Sequence, residues 1–354
     1  MAYTTINKST DYFNTKLYTG NGSYGHAITG IGFQPDLVWI KSRSGTHSAG
    51  VHELYDVVRG TDKMISTNLT NAEATGVNRL HSFDSDGFTV DDHNQINGSS
   101  TNYVAWNWLA GSTASSNTDG SITSTVSANT TAGFSIVKWT GTTNATIGHG
   151  LGQKPAMVIS KSTDNTAPWL VWHKGLTGGS EEDRYIVLDA STQATYTDYW
   201  GTGGLTSSVF GVNANNLNNN LGTMIGYCFA EKTGYSKFGS YIGNGSADGP
   251  FIYTGFKPAF TIIKNVSGAY DWLAQDSTRQ ADANFDGNPI NILNQVNASN
   301  AESNASTRSV DYLSNGFKIR QTSAAWNTSG NTFIYMAFAE APLVGSNNVP
   351  CTAR

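Results

Sequence analysis

Short apolar runs separated by polar turns dominate the chain, and one such run recurs. Gly30-Ile31-Gly32-Phe33-Gln34-Pro35-Asp36-Leu37-Val38-Trp39-Ile40-Lys41 places a proline after a glycine-rich turn, then a β-branched and aromatic run, then a lysine. The pattern returns as Gly152-Gln153-Lys154-Pro155-Ala156-Met157-Val158-Ile159-Ser160-Lys161 and as Gly255-Phe256-Lys257-Pro258-Ala259-Phe260-Thr261-Ile262-Ile263-Lys264. Proline fixes φ and carries no N–H, so Pro35, Pro155 and Pro258 suit the beginning of a strand rather than its middle. The run that follows predicts a buried strand, and Lys41, Lys161 and Lys264 are expected where that strand surfaces.

Other signals keep the same order around each copy. An aromatic precedes a turn glycine in Leu17-Tyr18-Thr19-Gly20, Lys138-Trp139-Thr140-Gly141 and Ser240-Tyr241-Ile242-Gly243. Asp86-Gly87-Phe88-Thr89-Val90 matches Asn315-Gly316-Phe317-Lys318-Ile319, with a weaker Ser208-Val209-Phe210-Gly211-Val212 between them. Each unit closes on an apolar strand: Tyr103–Trp108, Met224–Phe229 and Ile334–Phe338. Units of about one hundred residues are domain-sized. Short strands at close spacing, broken by Gly, Asn and Asp, predict an all-β chain of three tandem repeated antiparallel β-sandwich modules, jelly-roll or lectin-like in style.

The boundaries expected are an N-terminal arm over 1–11, repeats over 12–111, 131–234 and 235–344, and a C-terminal tail over 345–354. Residues 112–130, almost all Ser, Thr, Asn, Ala and Gly, predict a linker. In the arm, Tyr3 and Ile6 are the residues able to anchor it on a neighbour. Asn71-Ala72-Glu73-Ala74-Thr75-Gly76 is the one hint of a helical turn.

Composition narrows the classes of function. The charged fraction is 13%, about half the usual share, whereas 9 Trp, 16 Tyr and 15 Phe supply apolar surface for several cores. The surface is therefore polar through hydroxyls and amides. A net charge of -5 without any Lys/Arg run argues against nucleic acid. No apolar stretch has signal-peptide or membrane-spanning character, so a soluble protein without membrane insertion is expected, released by a route other than secretion. Cys228 and Cys351 read as a buried thiol and an incidental tail thiol.

The candidates for chemistry are sparse. Asp91-Asp92-His93, Glu181-Glu182-Asp183 and the pair Glu53 and Asp56 could form carboxylate pairs, yet none recurs between repeats. The seven histidines show no metal-ligand spacing, so no metal and no cofactor is expected. Asp84-Ser85-Asp86-Gly87 begins like a calcium loop without its later acidic ligand and reads as a turn. Gly20-Asn21-Gly22 and Gly243-Asn244-Gly245 read as hairpin turns. Trp39, Trp106 and Trp108 are expected in the core. Trp200, with Tyr199 beside it, and Trp326 lie among loop residues, where a ring could stack on a sugar or wedge into a partner.

The motifs Tyr18-Thr19-Gly20-Asn21-Gly22 with Gly32–Lys41, and Tyr241–Pro250 with Tyr335–Glu340, resemble a β-rich domain of unknown function. That domain recurs in virion structural and tail-fibre-like proteins of tailed, mostly marine, bacteriophages. The resemblance spans about 12–344 and is looser in the second repeat, which lacks the Asn-Gly-Ser turn. It implies a non-enzymatic particle component on the virion surface, assembled in the host cytoplasm, with other virion proteins as partners and no catalytic residues to carry over. Contact with a host surface glycan or receptor at the tail, by a homo-oligomer and in first place a trimer, is the leading expectation. Capsid decoration, cement or a head fibre is the alternative, and a polysaccharide-degrading tailspike enzyme a third.

Overall fold

The computed structural model describes residues 4–44, 50–201, 203–213, 222–282, 287–304 and 309–342. The tail expected over 345–354, with Cys351, lies outside the described residues. The first repeat holds β1 (Phe13–Thr19), β2 (His26–Thr29), β3 (Leu37–Ser44), β4 (Glu53–Asp56), β5 (Gly60–Ser66) and β6 (Ala74–Thr75). It continues with β7 (Leu80–Asp84), β8 (Gly87–Val90), the short helix α1 (Asn94–Asn97) and β9 (Asn102–Trp108). Then follow β10 (Ser115–Asn117), β11 (Ser124–Asn129), β12 (Phe134–Thr140), β13 (Ala145–Gly148) and β14 (Met157–Ser162). After these come β15 (Leu170–His173), β16 (Arg184–Val187), β17 (Thr195–Tyr196), β18 (Val209–Val212) and β19 (Thr223–Phe229). The last repeat contains β20 (Ser236–Ile242), β21 (Phe251–Tyr253), β22 (Phe256–Asn265), β23 (Trp272–Asp276), α2 (Ser277–Asp282) and β24 (Ile292–Gln295). It ends with β25 (Ser303–Asn304), β26 (Val310–Leu313), β27 (Gly316–Ile319), α3 (Ala324–Asn327) and β28 (Thr332–Pro342).

The chain is all-β, with every ladder between these strands antiparallel. The sheet order β1-β9-β3-β4-β5-β6 recurs as β20-β28-β22-β23-β24-β25, and within the longer β10-β11-β12-β19-β14-β15-β16-β17. Each large sheet has a small companion: β2-β8-β7, β13-β18 or β21-β27-β26. The recurrent proline run supplies the middle strand of each large sheet, β3, β14 and β22, paired on one side with the closing strand. Pro35 and Pro155 precede their strands, and Pro258 sits at a register shift near the start of β22, where a missing N–H does not break the ladder.

Both faces of the large sheets are buried, and side-chain alternation divides them. In the first repeat Val38, Ile40, Tyr103 and Ala105 face a core shared with Phe88 and Val90 of the small sheet. Their neighbours Leu37, Trp39, Val104, Trp106 and Trp108 face the other way. These residues meet Ile159, Ile225, Tyr227 and Phe229 of the second repeat and Phe260, Ile262, Met336 and Phe338 of the third in one common cluster. Burial on both faces is why the runs read as continuously apolar instead of alternating. At the centre the rings of Trp108, Phe229 and Phe338, one from each closing strand, touch pairwise with centroids 6.4, 5.8 and 6.1 Å apart.

Polar bonds between repeats run in a cycle around this centre. His52 Nε2 donates to the Gln295 carbonyl at 3.0 Å, Trp169 Nε1 to Ser66 at 2.8 Å and Trp272 Nε1 to Val187 at 2.8 Å. The acceptors are the last residues of β24, β5 and β16. A second cycle runs in the opposite sense from the last residues of β4, β15 and β23. Asp56 accepts from Tyr227 Oη at 2.8 Å, and Asp276 accepts from Trp106 Nε1 at 3.1 Å. In the second repeat His173 replaces the aspartate, and its Nε2 donates to the Tyr335 carbonyl at 3.1 Å. Burial holds His173 neutral, with its pKa lowered to about 3.

The structure corrects several expectations. Residues 112–130 are not a free linker, because β10 and β11 extend the second large sheet beyond β12. The crossing is pinned where Asp36 Oδ2 accepts the amides of Ala110 and Ser112 at 2.7 and 2.9 Å. A run rich in Ser, Thr and Asn forms strands here since its backbone groups find a ladder and Ser124, Val126 and Ser127 are buried. In the 1–11 arm, Ile6 packs into the common cluster. The helical hint at 71–76 contains β6, whereas α-helical turns form at 94–97, 277–282 and 324–327. Lys41, Lys161 and Lys264 do not surface: all three are buried. Lys41 donates to Ser299 O at 3.2 Å and Lys264 to Ser191 O at 3.0 Å, each crossing to another repeat. Lys161 instead bonds Ser162 O at 2.8 Å and Asn165 O at 3.2 Å.

Trp108→Ala lowers stability by about 3–5 kcal/mol, and calorimetry shows one shifted transition for the whole chain rather than loss of one among three. Burial depresses the three lysines to about 8 from 10.5. Between those values the unfolded chain binds more protons than the folded one, so stability rises with pH across the window and is flat just below it on their account. Urea unfolding at pH 7.5 and 9.5 measures this rise, and Lys→Met at all three positions reduces it.

Candidate functional site

Glu53, Asp56, Asp86, Asp91 and Glu181, among the acidic groups singled out in the sequence, make structure-supporting bonds. Glu53 and Asp56 are buried; Glu53 is bonded by Arg79 and Tyr55, and Asp56 by Arg59 Nε at 2.6 Å. Asp91 accepts from Gly25 N at 3.2 Å, and His93 Nδ1 accepts from Gln95 N at 3.3 Å to cap α1. Glu181 pairs with Lys154 at 2.7 Å. Asp86 takes the amides of Gly30 and Gly32 at 3.0 and 2.7 Å, which makes it a turn clamp. Cys228 is buried, and burial pushes its thiol up. Among the described residues no group of three His, Cys, Asp or Glu is placed to hold a metal ion, and no helix is long and apolar enough to cross a membrane.

The two candidate tryptophans are elsewhere than expected. Trp200 is buried in the second repeat, its Nε1 donating to Arg184 O at 3.0 Å and its ring edge-on to Phe210 at 6.4 Å. Trp326 is buried on α3, where Tyr241 Oη donates to its carbonyl at 2.8 Å. Ile96 occupies the same place on α1, with Tyr18 Oη on its carbonyl at 2.6 Å. Both tryptophans sit in segments that fold back over a core, and a polar neighbourhood in sequence did not reveal this. Tyr199 is half-buried, its ring edge-on to Tyr185 at 4.3 Å.

The Asn-Gly turns are held by a buried asparagine at the end of α1 and of α3. Asn97 Nδ2 donates to Ser23 O and Asp91 O at 2.9 and 2.8 Å. Asn327 Nδ2 donates to Ser246 O and Gln321 O at 2.7 and 2.9 Å. These turns are scaffold.

An exposed aromatic pair remains, on the small sheet of the third repeat. β21 is an edge strand in which Ile252 points into the core and Phe251 and Tyr253 point out, 46% and 56% exposed. Strand register puts Ile252 opposite Phe317, as Ile28 is opposite Phe88 and Ile147 opposite Phe210. The flanking positions are therefore Ala27 and Thr29 in the first repeat and Thr146 and Gly148 in the second. The fold does not require rings there.

Across the ladder Phe251 pairs with Lys318 and Tyr253 with Gly316. A Cβ on Gly316 would lie 2.9 Å from Phe251 Cζ, so the ring leans across the glycine backbone. The rim is charged but internally paired: Lys318 with Asp248 at 2.9 Å and Arg320 with Asp311 at 3.1 Å. Lys318 and its ion-pair hydrogen bond hold the Asp248 carboxyl below its usual range. The signal in the sequence was Gly249-Pro250-Phe251-Ile252-Tyr253, an alternating strand whose outward positions are small in the other copies.

The chain belongs to the family described as a domain of unknown function, DUF7483, whose model matches residues 8–342. The match runs through all three repeats and the 112–130 segment, in keeping with the common core. No curated protein and no solved structure matches the chain.

Because their rings are exposed, Phe251→Ala and Tyr253→Ala leave stability within about 0.5 kcal/mol of the parent. Thermal unfolding followed by circular dichroism checks this.

Proposed function

We propose that the chain is a non-enzymatic bacteriophage virion structural protein, three repeated β-sandwich modules fused on one core, that makes contact with the host surface. The observation carrying this reading is the exposed Phe251 and Tyr253 pair on a short edge strand of a well-packed sheet. An aromatic patch on a fixed sheet loses little side-chain freedom when it engages a partner. The engagement of Glu53, Asp56, Asp86 and Glu181 in structural pairs favours contact over hydrolysis. The trimeric organisation expected of such a protein is, in this reading, supplied inside one chain by the ring of Trp108, Phe229 and Phe338.

Immunogold labelling of intact particles tests the proposal. Label at the tail tip, together with blocked adsorption by the same antibody, supports it. Label spread over the head in many copies overturns it in favour of capsid decoration.

A further inference from the structure

We infer that the outward face of β21-β27-β26 is a binding platform for a neutral, pyranose-containing glycan, with Phe251 and Tyr253 as its stacking surface. This rests on the host-contact reading and names the ligand class of that site.

Three features of the face select such a ligand. The tip of the Phe251 ring lies over Gly316, where any side chain would collide with it, and the ring is partly open to solvent. A π-face carries partial negative charge and attracts the weakly positive C–H groups that line one side of a pyranose. Tyr253 stands two residues along the same strand, on the same side, and adds a second amphipathic ring with a hydroxyl at its tip.

The third feature is the charge balance. Asp248 is 82% exposed by side chain and Lys318 is 24% exposed, and they neutralise each other at the edge of the rings. Asp311 and Arg320 form a second neutral pair. Such pairs offer both acceptors and donors to hydroxyl groups without a net field, which an anionic sugar or a strongly charged protein surface would need. The rings are also specific to this repeat, since Ala27, Thr29, Thr146 and Gly148 occupy the matching positions. They are thus additions to a scaffold that is complete without them.

Saturation-transfer NMR on the full chain tests the inference, with methyl glycosides of glucose, galactose, mannose and N-acetylglucosamine and their linear tetrasaccharides as probes. The expected result is saturable binding of at least one, with transfer concentrated on the C–H protons of one ring face. Phe251→Ala and Tyr253→Ala, which remain folded by circular dichroism, each weaken it by about tenfold. Absence of binding by all the probes, or binding untouched by both substitutions, overturns the inference. So does a preference for uronic or sialic acids over every neutral sugar. Sedimentation of the same variants adds another arm: a dimer of the parent chain that dissociates on Phe251→Ala would assign the face to a second copy.

Binding of labelled protein to host cells separates the two levels. If the double variant loses cell binding while no sugar binds, host contact stands and the glycan class fails. If the parent chain binds sugars but not cells, the face keeps its ligand and the host-contact reading fails.

Discussion

Burial of both faces of each large sheet is the constraint on which the rest of the molecule depends. A sheet that covered only its small companion would leave Trp39, Trp106, Trp108, Tyr227, Phe229 and Phe338 in water. Aromatic side chains of that size bury about 150–250 Å² each, so their exposure would dominate the balance of forces. Bringing three such faces together satisfies all of them at once. The chain therefore gains its largest cluster from contacts between repeats, and each repeat depends on the other two.

Polar groups within this apolar centre fix how the sheets meet. Ring N–H groups of Trp169 and Trp272 and the imidazole of His52 each reach the terminal carbonyl of a strand in the preceding member of the cycle. Burying these donors without partners would be costly, which penalises sliding or rotation of one sheet on another. The second repeat departs from the other two. Asp56 with Arg59 and Asp276 with Arg279 form buried ion pairs, whereas His173 with Leu176 removes the charges altogether. A neutral imidazole bonded to a carbonyl meets the same geometric need, because Met336 stands where Trp106 or Tyr227 would donate.

The inward surfaces are thus committed to holding the repeats together, and variation is left to the outward ones. Substituting Phe and Tyr for the small residues of the other repeats changes what the third small sheet presents to solvent and leaves its core residue, Ile252, in place. A repeat architecture of this kind leaves the outward positions of one copy free to differ while the common core is preserved.

Much of the strand content was legible in the sequence, since proline, turn glycine and apolar run carry local information about φ, hydrogen bonding and burial. Pro35, Pro155 and Pro258 marked the middle strands, and Tyr103–Trp108, Met224–Phe229 and Ile334–Phe338 the closing ones. The candidate site was legible only through comparison of the copies, at Ala27, Thr146 and Phe251. What tertiary structure alone decided was the environment of each side chain. Lys41 and Lys264 read as surface residues because a lysine ends an apolar run, yet carbonyls from another repeat capture them at a buried seam. Trp200 and Trp326 lie in polar stretches and still close a core, and 112–130 has linker composition and still forms strands. Local pattern determines which segments extend and which turn. Which face meets water depends on contacts between residues far apart in the chain, and composition does not encode those partners.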